Sequence, residues 1–152
     1  MRSKALPTLI IAIAAVAVPA CASSPDNKSF DQGTITALQD RINQAQPREQ
    51  CFLYAELIHQ MTEVSLQQYA AGDVEKANAL LKEVQQITHK MHLSMADNDK
   101  RLKNAEILLR HTAFRLKEML HSSASEDRPL FEATLAQVNE AQSETMLSVF
   151  RK

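Results

Sequence analysis

Histidine and methionine alternate in one short segment of the chain, and their spacing could bind a metal. The segment contains His89, Met91, His92 and Met95. On a helix, His89 and His92 lie one turn apart, as do His92 and Met95. Thioether sulfur combined with imidazole nitrogen suits Cu(I) or Ag(I), so these four residues predict a soft-metal site. The alternative is structural, because Met91 and Met95 also fall on an apolar stripe, where methionine commonly fills a core.

Two Glu-x-x-His pairs match the ligand spacing of di-iron helix bundles. They are Glu56 with His59 and Glu118 with His121. At about 100° per residue, the first pair lies on the side of its helix away from Leu57, and the second is similarly turned outward. We therefore expect both pairs to belong to solvated polar faces and not to meet.

Patterns typical of enzymes are absent from the sequence. There is no Gly-x-Ser-x-Gly, no phosphate-binding glycine loop and no His-Glu-x-x-His. Cys51 has no histidine partner placed by spacing, and as a lone thiol in an exported protein it is expected to be either buried and inert or paired with another chain. The net charge of −1 gives no reason to expect nucleic acid binding. We expect a protein that is not an enzyme and needs no cofactor.

The N-terminal segment has the three-part layout of a secretory signal. Arg2 and Lys4 precede an uncharged apolar run over residues 5–18, and small residues close it. The expected organisation is a signal peptide over 1–22, a flexible linker over 23–33 and a single helical-bundle domain over 34–152. The protein is then exported, to the periplasm or the extracellular space.

Two cleavage routes compete near Cys21. Residues 20–22, Ala-Cys-Ala, fit the small-x-small rule, which places cleavage before Ser23. Residues 18–21, Val-Pro-Ala-Cys, resemble a bacterial lipobox, in which Cys21 becomes the lipidated first residue of a membrane-anchored lipoprotein. Pro19 departs from the usual lipobox, and both routes stay open.

The rest of the sequence predicts helices throughout. It is rich in strong helix formers and has only two glycines. Apolar residues recur at spacings of three and four, which predicts helices over 34–46, 48–71, 73–94 and 99–121 and a last helix with Pro129 in its first turn. Gly72 is placed to cap the second of them. The fold class is all-α, with antiparallel helical hairpins forming a four- to five-helix bundle.

The segment between the third and fourth helices allows two structures. The apolar stripe keeps its phase from Ala77 to Met119, as one continuous helix over about 73–121 would. Residues 97–99, Asp-Asn-Asp, are instead good turn formers. A weak internal duplication at an offset of 54, which pairs Asp73 with Asp127, supports two hairpins.

Residues 69–77, Tyr-Ala-Ala-Gly-Asp-Val-Glu-Lys-Ala, resemble the helix-turn-helix centre of a tetratricopeptide repeat. Ser65 and Ala77 fall where that repeat has small residues. The resemblance covers one hairpin, and it implies an αα-hairpin at Gly72.

Ile107 and Phe114 lie seven residues apart and off the main apolar stripe, which predicts a second contact face. We therefore expect an exported envelope interaction or scaffold module, which binds a protein partner or itself through helix faces. One alternative is a periplasmic copper- or silver-binding or sensing bundle. Another is an envelope-stress chaperone: the chain is similar in size, export and helicity to a family of such periplasmic chaperones, although it lacks their Leu-Thr-x-x-Gln motif.

Overall fold

A computed structural model describes residues 31–95 and 100–151. This part of the chain is all-α, as predicted, and forms five helices with no strand. The helices are α1 (Gln32–Gln44), α2 (Pro47–Ala70), α3 (Val74–Ser94), α4 (Leu102–Ser122) and α5 (Arg128–Phe150). Among these five helices, no segment combines the length and the hydrophobicity that spanning a bilayer requires. The predicted signal peptide lies outside the described residues, as does most of the predicted linker.

Local chemistry sets the helix ends. Asp31 caps α1 by accepting a hydrogen bond from the Thr34 N–H at 2.8 Å. Pro47 and Pro129 both lie in first turns, where a missing N–H costs nothing. Gly72 ends the α2 segment with φ of 89°, a backbone conformation that only glycine adopts without strain.

The bundle consists of two hairpins packed side by side. The hairpin of α2 and α3 packs on the hairpin of α4 and α5, so that α2 lies beside α4 and α3 lies beside α5. The residue numbers of contacting pairs increase together along α2 and α4: Phe52 contacts Arg101, just before α4, and Glu63 contacts Arg115. The two helices therefore run parallel, and α1 packs on the outside of α2.

The continuous helix over 73–121 is wrong, because α3 and α4 run in opposite directions. α3 ends at Ser94, and Met95 has an extended backbone. Before α4, Arg101 takes a left-handed conformation with φ of 61°, and the Lys100 N–H donates to the Arg48 carbonyl at 2.8 Å. The turn alternative holds at both of its described ends, while residues 96–99 lie outside the described part.

Burial repeats between the hairpins at the offset of 54 that the sequence indicated. Ala77 and Phe131 occupy equivalent buried positions, as do Val84 and Val138. The same offset matches α2 with α4. The interior also contains polar side chains. Four of the buried threonines donate their hydroxyls to carbonyls four residues earlier in their own helices: Thr88, Thr112, Thr134 and Thr145. Each such hydroxyl is thereby satisfied inside the core.

Helix α2 is the central helix of the bundle. It contacts α1, α3 and α4, and it is buried on more than one face. Cys51 is fully buried in it, which agrees with the first of the two states expected for this thiol. Polar residues of α2, including Gln60 and Glu63, are buried together with its apolar ones.

Candidate functional site: the groove between α2 and α4

The four residues of the predicted soft-metal site lie in different environments. Met91 is fully buried in the core, and Met95 packs against the core with its sulfur 3.8 Å from the Ser148 hydroxyl. His89 and His92 are exposed, and their rings stack with centroids 6.4 Å apart. The two histidines line a cavity of about 280 Å³ between α3 and α5, whose lining does not include either methionine.

His92 is held by the neighbouring helix. Its Nδ1 lies 2.7 Å from Oε2 of Glu144. This hydrogen bond and the negative charge of Glu144, with a smaller contribution from Glu140, raise the pKa of His92 above its ordinary value. The structure therefore brings His92 together with carboxylates of α5.

The two predicted partner-face residues are exposed on α4. Ile107 has 43% of its surface exposed and Phe114 has 57%. Ile107 also lines an open groove of about 400 Å³ between α2 and α4. We call this the α2–α4 groove; its lining is Arg41, Phe52, Glu56, His59, Gln60, Arg101, Asn104, Ile107 and Leu108.

His59, which lines this groove, also belongs to a cluster that sequence analysis missed. His59 and Glu63 of α2 and His111 of α4 each offer one ligand atom, and these three atoms lie within 4.8 Å of one another. The rings of His59 and His111 meet edge to face, with centroids 5.3 Å apart. We call these three residues the His–Glu–His cluster.

Hydrogen bonds fix the His59 side of the cluster. Nδ1 of His59 lies 3.0 Å from Oγ1 of Thr112, whose hydroxyl donates to the Leu108 carbonyl at 2.8 Å. Because a threonine hydroxyl has one proton, and Leu108 receives it, Nδ1 of His59 must be the donor in this contact. A neutral His59 ring then carries its lone pair on Nε2.

Glu63 is held as a buried carboxylate by Arg115. Nε of Arg115 donates to Oε1 at 3.0 Å, and Nη2 donates to Oε2 at 3.3 Å. Arg115 also contacts Glu118 through Nη1 at 3.1 Å. The hydrogen bond to Glu63 is the main reason that the pKa of Arg115 is raised, so the guanidinium stays charged.

The Glu-x-x-His pairs do not form a joint site in the described structure. Glu56 pairs with Arg41 of α1, and Glu118 pairs with Arg115. His59, however, is not on a solvated face as expected; it is half-buried between α2 and α4. The signal for this burial was the apolar run 51–53, which continues around α2 beyond a single face.

Comparison with known proteins gives no match: no protein-family model fits the chain, and no curated protein or solved structure is significantly similar to it.

Proposed function

We propose that the protein is a non-enzymatic interaction module that binds a partner helix on the outer face of α4, beside the α2–α4 groove. The observation that carries the proposal is the exposure of Ile107 and Phe114, two large apolar side chains two helical turns apart. Residues seven apart on one helix lie on the same face, so one partner helix can contact both.

Charge on the same face suggests the chemistry of the partner. Lys103, Arg110 and Lys117 are exposed on α4 close to the two apolar residues. Within the described part of the chain, Lys103 and Lys117 form no ion pair, while Arg110 approaches Glu106 at 3.9 Å. An amphipathic helix with acidic residues beside its apolar positions would complement both the apolar side chains and the positive charge of this face.

The place of action in this proposal is outside the cytoplasm. It rests on the leader-like residues 1–22, with Cys21 either removed or lipidated. The intact mass of the protein from its native cells distinguishes the two routes. A diacylglyceryl-modified Cys21 supports a membrane-tethered module, and a start at Ser23 supports a released one, whereas a retained leader would contradict export.

Site-specific photocrosslinking in the native cells tests the docking face. A photoreactive residue replaces Ile107 or Phe114, and the matched control replaces Lys82, which is exposed on α3. We expect discrete adducts from positions 107 and 114 and none from 82. We also expect the adducts to weaken when Lys103 and Lys117 are changed to Glu.

Two results would contradict the docking proposal. One is the absence of a discrete adduct at both α4 positions. The other is the same adduct pattern at the control position, which would indicate nonspecific collision. The mass of the adduct also identifies the partner as a second copy of this chain or another protein.

A further inference from the structure

We propose that the His–Glu–His cluster is a binding site for a divalent transition metal such as Zn²⁺, with His59, Glu63 and His111 as its three protein ligands. This inference goes beyond the docking function and does not depend on it. It also differs in place and chemistry from the soft-metal site predicted at residues 89–95, because its donors are nitrogen and oxygen.

The first argument is the donor set. Two imidazole nitrogens and one carboxylate oxygen suit Zn²⁺, Co²⁺, Ni²⁺ or Cu²⁺. His59 and Glu63 are four residues apart on α2, which places them one above the other on the helix, and His111 faces them from α4. Three protein ligands leave a position for water or for a ligand atom from another molecule.

The second argument is that the donors are close to binding distance. Donors at tetrahedral angles, about 2.0–2.1 Å from Zn²⁺, lie roughly 3.3 Å apart. The three atoms here lie within 4.8 Å of one another, so the site must contract by about 1.5 Å at most. His111 is exposed, so its side chain can approach the other two donors without disturbing the core, and a side-chain shift of His59 or Glu63 supplies any contraction between those two.

The third argument is the orientation of His59. Metal-binding histidines usually donate their second ring N–H to a fixed acceptor, which sets the tautomer and the ring orientation. Thr112 is such an acceptor for Nδ1, because its own proton is committed to the Leu108 carbonyl. We therefore assign Nε2 of His59 as the metal ligand and Thr112 as its positioning residue.

The fourth argument concerns Arg115, whose positive charge would oppose a cation. Arg115 already contacts Glu118 as well as Glu63. It can therefore release its 3.3 Å contact from Nη2 to Oε2 of Glu63. The shorter contact from Nε to Oε1 of Glu63 and the contact from Nη1 to Glu118 then remain. One oxygen of Glu63 then becomes available to the metal.

The amide of Gln60, which shares the groove lining with His59, is a further sign of a bound polar ligand. Gln60 is only 4% exposed. Its amide oxygen Oε1 has no hydrogen-bond partner within the described part of the chain. A buried amide oxygen without a partner is costly, and a metal-bound water in the groove would satisfy it.

Titration of the metal-free full chain with Co²⁺ and Zn²⁺ tests the site. Co²⁺ reports nitrogen and oxygen coordination through its visible spectrum, and competition with Zn²⁺ gives the affinity. The variants are His111→Ala, His59→Ala and Thr112→Val, with His92→Ala to test the cavity between α3 and α5. His121→Ala is the matched control, because His121 is also an exposed histidine of α4 but lies outside the cluster. Circular dichroism checks that each variant folds.

We expect one metal ion per chain and unchanged binding in His121→Ala. Thr112→Val should weaken binding about 10- to 100-fold, as loss of an outer-shell partner does, while helix content stays the same. His111→Ala, which removes a ligand at an exposed position, should weaken it at least as much and alter the cobalt spectrum.

Three results would overturn the proposal. The first is no cobalt spectrum beyond that of the hydrated ion. The second is equal binding by the wild type and His111→Ala. The third is loss of binding in His92→Ala but not in His111→Ala, which would move the metal to the cavity between α3 and α5.

Discussion

The hydroxyl of Tyr69 joins the end of α2 to the turn between α4 and α5. It donates to Oδ2 of Asp127 at 2.8 Å and accepts from the Ala124 N–H at 3.0 Å. Its ring packs edge to face on Phe131, with centroids 5.3 Å apart. Asp127 also accepts from Asn78 of α3 at 2.9 Å, so this carboxylate connects the two hairpins at one end of the bundle.

Tyr69→Phe isolates the contribution of the hydroxyl, because the ring and its contact with Phe131 stay. A hydrogen bond to a charged group contributes about 1.5–3 kcal/mol, and one between neutral groups about 0.5–1.5 kcal/mol. Tyr69 is only partly buried, so water can satisfy part of what the substitution leaves unpaired. We therefore expect the free energy of unfolding to fall by about 1–2 kcal/mol.

Urea unfolding followed by far-UV circular dichroism measures the change. With a denaturant slope of about 2 kcal/mol per molar, which is typical of small proteins, the loss corresponds to a midpoint about 0.5–1 M lower. Tyr54→Phe is the matched control, because Tyr54 is also a partly buried tyrosine of α2 and its hydroxyl forms no hydrogen bond within the described residues. It should change stability by no more than about 0.5 kcal/mol.

Equal effects of the two tyrosine substitutions would refute this reasoning. A double-mutant cycle of Tyr69→Phe with Asp127→Ala gives a sharper test, because it measures the coupling of the two side chains directly. We expect a coupling energy of about 1 kcal/mol, and a value near zero would show that the contact contributes nothing.

Two further predictions concern a titrating pair and the two glycines. The raised pKa of His92 should appear in an NMR titration as a value above the ordinary one of about 6.5 and should fall in Glu144→Gln. Because the pKa of His92 is higher in the folded state than in the unfolded state, the pair should stabilise the fold fully at a pH below the unfolded-state pKa. This stabilisation should be lost as the pH rises through the folded-state pKa. A difference in unfolding free energy between wild type and Glu144→Gln that does not change with pH would contradict this prediction. Gly72→Ala should destabilise by about 1–2 kcal/mol in thermal unfolding, since no atom lies within 4 Å of the added Cβ and the cost is the positive φ alone. Gly33→Ala, inside α1, should be neutral or stabilising by up to about 1 kcal/mol, and the same sign at both glycines would argue against this account.

The helices could be predicted from sequence because their determinants are local. The three-four spacing of apolar residues, Gly72 and the prolines placed all five within a few residues of their bounds. Details at the ends were less predictable. Helix α2 begins at Pro47 rather than at residue 48. Aspartate is a common N-cap residue, yet the side chain of Asp73 makes no capping hydrogen bond to α3 and approaches Lys76 instead.

The reversal between α3 and α4 could not be decided from the pattern. The apolar stripe keeps its phase from Ala77 to Met119 although α3 and α4 run in opposite directions, so phase alone does not distinguish a reversal from a continuous helix. The reversal follows from tertiary contacts, in which Lys100 binds the Arg48 carbonyl and Arg101 lies over the Phe52 ring at 3.5 Å. Such contacts join residues about 50 positions apart, which periodicity does not report.

The His–Glu–His cluster escaped prediction for a related reason. Assigning one buried face to α2 placed His59 in solvent, whereas α2 packs against three other helices. Glu63 consequently lies in the interior, at 7% exposure, with Arg115 as its partner from α4. A helix with apolar residues around most of its circumference indicates burial on several sides, and its polar residues then become candidates for function.

If the chain is exported to an oxidising compartment, as proposed, the burial of Cys51 makes folding and oxidation competing processes. Cys51 is the only cysteine after Cys21, and its side chain is inaccessible in the folded bundle. In an oxidising compartment, an unfolded chain exposes this thiol, and two such chains can join through an intermolecular disulfide. Once α2 is enclosed by its neighbours, the thiol reacts only when the structure opens. The rate of thiol labelling therefore measures how often the centre of the bundle opens, and the fraction of disulfide-linked dimer records how many chains were oxidised before they folded.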